Sequence, residues 1–174
     1  HGVATNWIKS HTVKDTPHAE NLKNGMNNLV DPTERSKVCL DCHIGDSSNE
    51  VTHQLISAGH PRLTFELDTF SQITPPHWKI DQDYIERKGE VKTIQYWLAG
   101  QIKRSLKFLE NYGSSLKFNR QPDFAYGYCY SCHHNLSDNQ WKKRNYHGKT
   151  GLIKLNLSSI LLTKVAMKGL DITV

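Results

Sequence analysis

A mainly α fold is predicted, built of helices and long irregular loops with little or no β, on three observations. An apolar stripe, Val91, Ile94, Leu98, Ile102, Ser105, Leu109 and Tyr112, recurs at spacings of three and four, the period of one helix face. Helix boundaries are spelled out elsewhere, most fully at Asp31-Pro32 with Glu34 following and Gly45 beyond. All four cysteines fall in two copies of one pattern, Cys39-Leu40-Asp41-Cys42-His43 and Cys129-Tyr130-Ser131-Cys132-His133. The spacing i, i+3, i+4 puts two thiols and an imidazole on one face of a helix.

Cys-x-x-Cys-His is the attachment signature of c-type haem. Two thiols on one helical face can add across the two vinyl groups of a haem edge, and the next imidazole can meet the iron. The competing readings are a zinc site made of all four cysteines and a thiol–disulfide pair, since Cys-x-x-Cys supports both. Against them, the two pairs stand far apart, without the compact spacing of a zinc ribbon. Both pairs are also followed at once by His, in a chain with 10 His among 174 residues. The fold expected is therefore helices and loops wrapped around covalently bound haems. Cys39, Cys42, Cys129 and Cys132 hold two haem c groups, and His43 and His133 are the proximal ligands. A hydrophobic content of 37% and a mean hydropathy of −0.61 are low for a self-sufficient core. Each macrocycle offers apolar faces that would make up the deficit.

In chain order, residues 1–30 read as irregular and His-rich, with His1, His11 and His18 as candidate distal ligands arriving from loops. Asp31 caps a helix that Pro32 opens and Glu34 closes as a capping box, and this helix carries the first motif to its C-terminus near Gly45. Asn49 is expected to cap a short helix from Glu50 to Ala58, stopped by Gly59, with His53 on it and His60 just beyond. Both are leading distal candidates, followed by His11. Pro61 should open a helix from Arg62 to Ile73 that Pro75-Pro76 ends. The longest helix should run from about Asp83 to Tyr112, with Trp97 and the stripe walling a haem pocket; Gly100 marks a weak point or a close approach. A turn from Gly113 to Pro122 leads to a helix near Asp123 to His134 that carries the second motif, and an amphipathic helix from about Leu157 to Lys168 ends the chain. His18, His77, His134, His147 and His1 are weaker distal candidates, and Met26 and Met167 weaker still. Residues 1–174 thus read as one multihaem domain: 1–80 a first haem lobe, 81–122 a long structural helix and turn, and 123–174 a second haem lobe.

The formal charge of +5 and pI near 9.0 come from scattered basic residues, with one local concentration at Lys142-Lys143-Arg144. Haem propionates would offset much of it, so a solvated mixed-charge surface is expected, with no nucleic-acid partner. No run reaches the roughly 18 apolar residues of a membrane span. With no initiator Met and no signal peptide in view, the sequence reads as a processed chain or a fragment of a longer one. Since c-type haem is attached outside the cytoplasm, the expected location is periplasmic or extracellular.

Several stretches together resemble a known family. Gly25-Met26, Leu29 and Asp31-Pro32 precede the first motif; Val51-Thr52-His53, Ala58-Gly59-His60-Pro61-Arg62-Leu63, Phe65-Glu66-Leu67-Asp68-Thr69-Phe70 and Pro75-Pro76-His77-Trp78 follow it. The second motif with His134, and then Trp141, complete the set. This is similar to the C-terminal half of periplasmic tetrahaem c-type cytochromes, related to the tetrahaem electron carrier of ammonia oxidisers. The resemblance spans roughly residues 1–150 and is most specific over 58–70. It implies a mostly helical fold around closely spaced haems, many with two axial histidines, and further haem sites upstream. His1-Gly2 looks like the end of a truncated Cys-x-x-Cys-His, which would add a third haem, or else like a processed N-terminus.

The function expected is electron transport between redox protein partners, through at least two bis-histidine haems. The alternative is a multihaem redox enzyme, a nitrogen- or sulfur-oxyanion reductase or peroxidase, with one five-coordinate haem and His77 or Tyr84 as acid–base groups. Eight histidines lie outside the two motifs, more than two bis-histidine haems use. The surplus admits a third arrangement, an oligomer or larger multihaem assembly with inter-chain His ligation.

Overall fold

The computed structural model describes residues 2–46, 48–62, 64–76, 78–90, 92–117, 122–134 and 153–170. The architecture is mainly helical, as expected: among the described residues there are eight α-helices, two 3-10 turns and no strand. An isolated antiparallel bridge joins Gly127 to Leu155.

The organising helix is α7 (Thr93–Lys117), against which α3 (Pro32–His43), α5 (Leu67–Ile73) and α8 (Ser158–Gly169) all pack. Polar ties fix the crossings. Lys107 pairs with Asp41 of α3 at 3.3 Å, the Asn111 amide donates to the Gly45 carbonyl at 3.1 Å, and Ser105 lies 3.5 Å from Thr163 of α8. Leu40 and Leu67, 2% and 0% exposed, form the dry centre of this group. Gly100 is needed where α5 crosses: a Cβ there would stand 2.6 Å from the Leu67 backbone nitrogen, closer than any packed side chain tolerates. The close approach anticipated at Gly100 is thus to a neighbouring helix.

Helix α3 starts as the sequence indicates. The Asp31 carboxylate accepts from the Thr33 and Glu34 backbone N–H groups at 2.7 and 3.2 Å, and Pro32 sits in the first turn. The Asp31 N–H donates to the Asn28 carbonyl, so its partner is a backbone group and not the Glu34 side chain.

Other boundaries differ from expectation, each for a local reason. The segment expected to be irregular holds two helices, α1 (Ala4–His11) and α2 (His18–Lys23). They are locked by buried Trp7 and by Ser10, which donates to Asn21 and accepts from Asn24. The next helix, α4 (His53–Ser57), is capped by the Thr52 hydroxyl and not by Asn49. Pro61 opens no helix: α5 begins five residues beyond Arg62, where buried Glu66 accepts from the Asp68 and Thr69 backbone N–H groups. The single long helix is two. Gly89, at φ +84°, ends α6 (Gln82–Lys88) in the left-handed region before α7 begins. Gly113 lies inside α7, which continues to Lys117.

The buried face of α7 also differs from the apolar stripe. It comprises Gly100, Gln101, Ser105 and Asn111, while Ile94 is 61% and Leu109 is 51% exposed. Trp97 is half-buried. The three helices that pack on α7 meet it through small and polar residues, which permit close crossings. Much of the apolar surface is left outside: Leu106, Leu116, Phe124, Tyr130, Leu161 and Val165 are all exposed. No helix among the described residues is long and apolar enough to cross a membrane. His1, Leu63, His77, Val91, Trp141, Lys142-Lys143-Arg144, Tyr146, His147 and Gly148-Lys149 lie outside the described residues.

Candidate functional site

The first motif closes α3. Cys39 is half-buried and Cys42 and His43 are exposed on its last turn. Burial pushes the Cys39 thiol upward, partly offset by the Arg35 guanidinium one turn earlier, with Cys42 adding a smaller upward push. The His43 ring stacks on buried Phe65, centroids 4.3 Å apart and planes 11° from parallel. Arg35 itself ties α3 to its surroundings. It donates to the Leu29 carbonyl and to the Tyr84 hydroxyl, and lies against the Trp78 and Tyr96 rings at 4.7 and 5.1 Å. Tyr84, a candidate acid–base group, is thus engaged in holding α3.

The second motif is not helical as expected. Asp123 caps a 3-10 turn, Phe124–Tyr126, Gly127 then takes extended backbone to bridge Leu155, and a second 3-10 turn covers Cys129–Ser131. Pairing with residues 154–156 takes the place of a helix: the Tyr128 N–H donates to the Lys154 carbonyl and the Asn156 N–H to the Tyr126 carbonyl. The motif nonetheless closes on itself, because the His133 N–H donates to the Cys129 carbonyl at 2.8 Å. Cys129, Cys132 and His133 are exposed.

Two side chains organise this loop, Asp123 from within it and Arg62 from the segment after α4. The Asp123 carboxylate accepts from its own turn, through the Ala125 N–H at 2.8 Å, and from the His53 N–H at 2.7 Å. One carboxylate therefore joins the start of α4 to the second motif. Arg62 donates to the Ala125 and Gly127 carbonyls and to Cys129 Sγ, each at 3.1 Å.

The consequence is that His53 and His133, 80 positions apart in the chain, face one another with ring centroids 6.2 Å apart and planes 27° from parallel. That is a different relation from the contact stack of His43 on Phe65. Two metal–imidazole bonds of about 2 Å each, plus half of each ring, put the centroids of two imidazoles sharing one metal about 6 Å apart. On that separation, His53 and His133 are the two imidazoles that would hold one metal between them. Phe124 packs edge-on to His53 at 5.8 Å, and exposed Tyr128 and Tyr130 lie just before and within the motif.

The remaining candidates are placed as follows. His60 Nδ1–H donates to the Pro61 carbonyl at 2.7 Å, and since a carbonyl only accepts, Nε2 is left as the ring's electron-pair donor. His11 packs edge-on to Trp7 at 5.5 Å on α1. His18 at the start of α2 lies 3.4 Å from the Asn28 side chain. His134 is half-buried, its N–H donating to the Cys132 carbonyl. Met26 is buried beside α2, and Met167 is half-buried on α8.

All four cysteines are free thiols. Among the described residues no group of three or more His, Cys, Asp or Glu side chains is placed to hold a metal ion. A tetrathiolate zinc site needs four convergent ligands, so the four cysteines do not form one in this structure. An axial pair of histidines needs no such cluster.

The roles of Asp123 and Arg62 were not singled out from sequence. The only available signal was adjacency, Arg62 following His60-Pro61 and Asp123 standing where the second motif's segment begins. No family model matches the chain, and no curated protein or solved structure matches it.

Proposed function

We propose that this chain is a c-type cytochrome that holds at least two covalent haems and passes electrons between redox protein partners outside the cytoplasm. The observation that supports the reading is the pair of complete Cys-x-x-Cys-His motifs, with His53 brought against His133 at a centroid separation of 6.2 Å beside the second. Haem supplies the one-electron chemistry; the chain positions it and sets its potential.

In this reading Cys39 and Cys42 with His43, and Cys129 and Cys132 with His133, attach and ligate the two groups. His53 would hold the iron of the second haem together with His133, and His60, with Nε2 directed away from its hydrogen bond, is the leading candidate to do so at the first. Two imidazoles favour the ferric state more than a His/Met pair does, so low potentials are expected. The exposed apolar and aromatic side chains around the second motif and along α7 supply surface for the macrocycles to cover.

Electron paramagnetic resonance of the oxidised holoprotein tests this. Purely low-spin ferric signals that ignore added nitrite or cyanide are expected. A high-spin signal that responds to either would replace electron transport with the enzyme reading.

A further inference from the structure

Between the two motifs lies a cavity of about 100 Å³ whose chemistry the axial ligands do not explain. Ile44, directly after His43, borders it on one side, and Ala125 and Tyr126, ahead of Cys129, on the other. Arg62 and Arg104 both line it. The two guanidiniums repel: burial and the nearby Arg62 charge both weaken the hold of Arg104 on its proton. Among the described residues neither arginine is paired with a carboxylate, and Arg104 has no hydrogen-bond partner.

Two carboxylates, Glu50 and Asp123, line the same cavity, and both are already engaged. Asp123 accepts from the His53 and Ala125 backbone N–H groups and Glu50 from the Tyr126 hydroxyl. Glu66, which partly offsets the repulsion on Arg104, caps α5. The third donor is Ser159 of α8. It is 7% exposed, it lines the cavity, and its hydroxyl has no partner. A buried hydroxyl left without a partner costs on the order of 1–3 kcal/mol, and the half-buried Arg104 guanidinium lining the same cavity offers donors that no acceptor among the described residues takes. Both are satisfied at once by an anion with two oxygens.

We infer that Arg62, Arg104 and Ser159 form a carboxylate-binding site between the two motifs, and that its occupant is a haem propionate. The chemistry is shared with free oxyanions such as phosphate. The propionate is favoured because the cavity lies beside the chain segments of both attachment motifs, next to Ile44 after His43 and to Ala125 and Tyr126 ahead of Cys129. Arg62 then has two functions, holding the second motif's loop through Ala125 and Gly127 and neutralising a charge of the cofactor that loop carries. The inference rests on the cytochrome reading.

The test uses the haem-loaded protein and its Arg104→Leu, Arg104→Lys and Ser159→Ala variants, with haem counted by intact mass in each. In Arg104→Leu the propionate bending mode in the resonance Raman spectrum should shift for one haem. The midpoint potential of that haem should fall, because a cation that disfavours the ferric state is gone. Arg104→Lys should restore part of both, and Ser159→Ala should shift the mode without changing net charge. Modes and potentials identical to wild type in Arg104→Leu and Ser159→Ala, with both haems present, would overturn the inference while leaving the cytochrome reading intact. A wild-type chain without haem defeats that reading itself. In the other arm, calorimetry of the wild-type holoprotein with inorganic phosphate should show no saturable binding. Phosphate binding that Arg104→Leu abolishes would assign the site to a free oxyanion and overturn the propionate.

Discussion

The candidate site turns on a few side chains whose loss has distinguishable effects. His53 is the first residue of α4, and its backbone N–H is held by Asp123 while its ring faces His133. His53→Ala should therefore leave the haem count unchanged and convert one of two low-spin haems to high spin, read by electron paramagnetic resonance. An unchanged low-spin spectrum would remove His53 from the iron. Asp123→Ala acts differently, because it releases two backbone donors in separate lobes. It should lower stability by about 1–3 kcal/mol, the cost of unpairing donors from a charged acceptor, measured by chemical denaturation. The same substitution should perturb the spectrum of the second haem only. The motifs themselves were legible residue by residue in the sequence, since the thiol and imidazole types at that spacing carry their chemistry locally. Which histidine ring lies against His133 was not. His53 and His60 were the leading candidates without an assigned motif, and the Asp123 and Arg62 contacts, made 70 and 67 positions away, bring His53 to the second motif.

Among the elements, α3 and α8 match the sequence reading closely because their signals are local. Asp31 and Pro32 define one start, and an apolar repeat defines the other helix. The misreadings come from signals that tertiary structure overrides. Asn49 and Pro61 are plausible helix starters, yet Thr52 and Glu66 cap the helices, the latter as a buried carboxylate beneath α7. At Cys129 the motif implied a helix, but the preceding segment pairs with Leu155 and only 3-10 turns form. The stripe on α7 gave the helix without its orientation. Its packed face is Gly100, Gln101, Ser105 and Asn111, because close crossings select small and polar residues over bulky ones. Gly100→Ala tests that crossing. In an exposed helix this change stabilises by up to about 1 kcal/mol, whereas here the new methyl meets the Leu67 backbone at 2.6 Å. The sign should reverse, with a loss of about 1–3 kcal/mol and a lowered thermal midpoint. A gain in stability would mean that α5 and α7 are not in contact at this point.

The described residues hold little apolar core. Among the described residues Trp7, Met26, Leu40, Phe65 and Leu67 are the buried hydrophobic side chains, while Leu106, Leu109, Leu116, Phe124 and Val165 stand exposed. If haem is attached as proposed, it supplies the missing apolar cover, so replacing all four cysteines by Ala should reduce helicity and lower the cooperativity of unfolding, read by far-UV circular dichroism. Native helicity and a sharp transition in that variant would show that the chain folds without help. Fold class was legible because composition and helix period act everywhere along the chain; the second lobe's loop architecture was not, because it depends on pairing between distant segments. The central claim is covalent haem at both motifs, and intact mass under denaturing conditions tests it most directly. The chain matured in a host that attaches c-type haem should weigh 19.9 kDa plus two equal haem increments, reduced to one when Cys39 and Cys42 or Cys129 and Cys132 are replaced. The bare chain mass, with all four thiols open to alkylation, would contradict it.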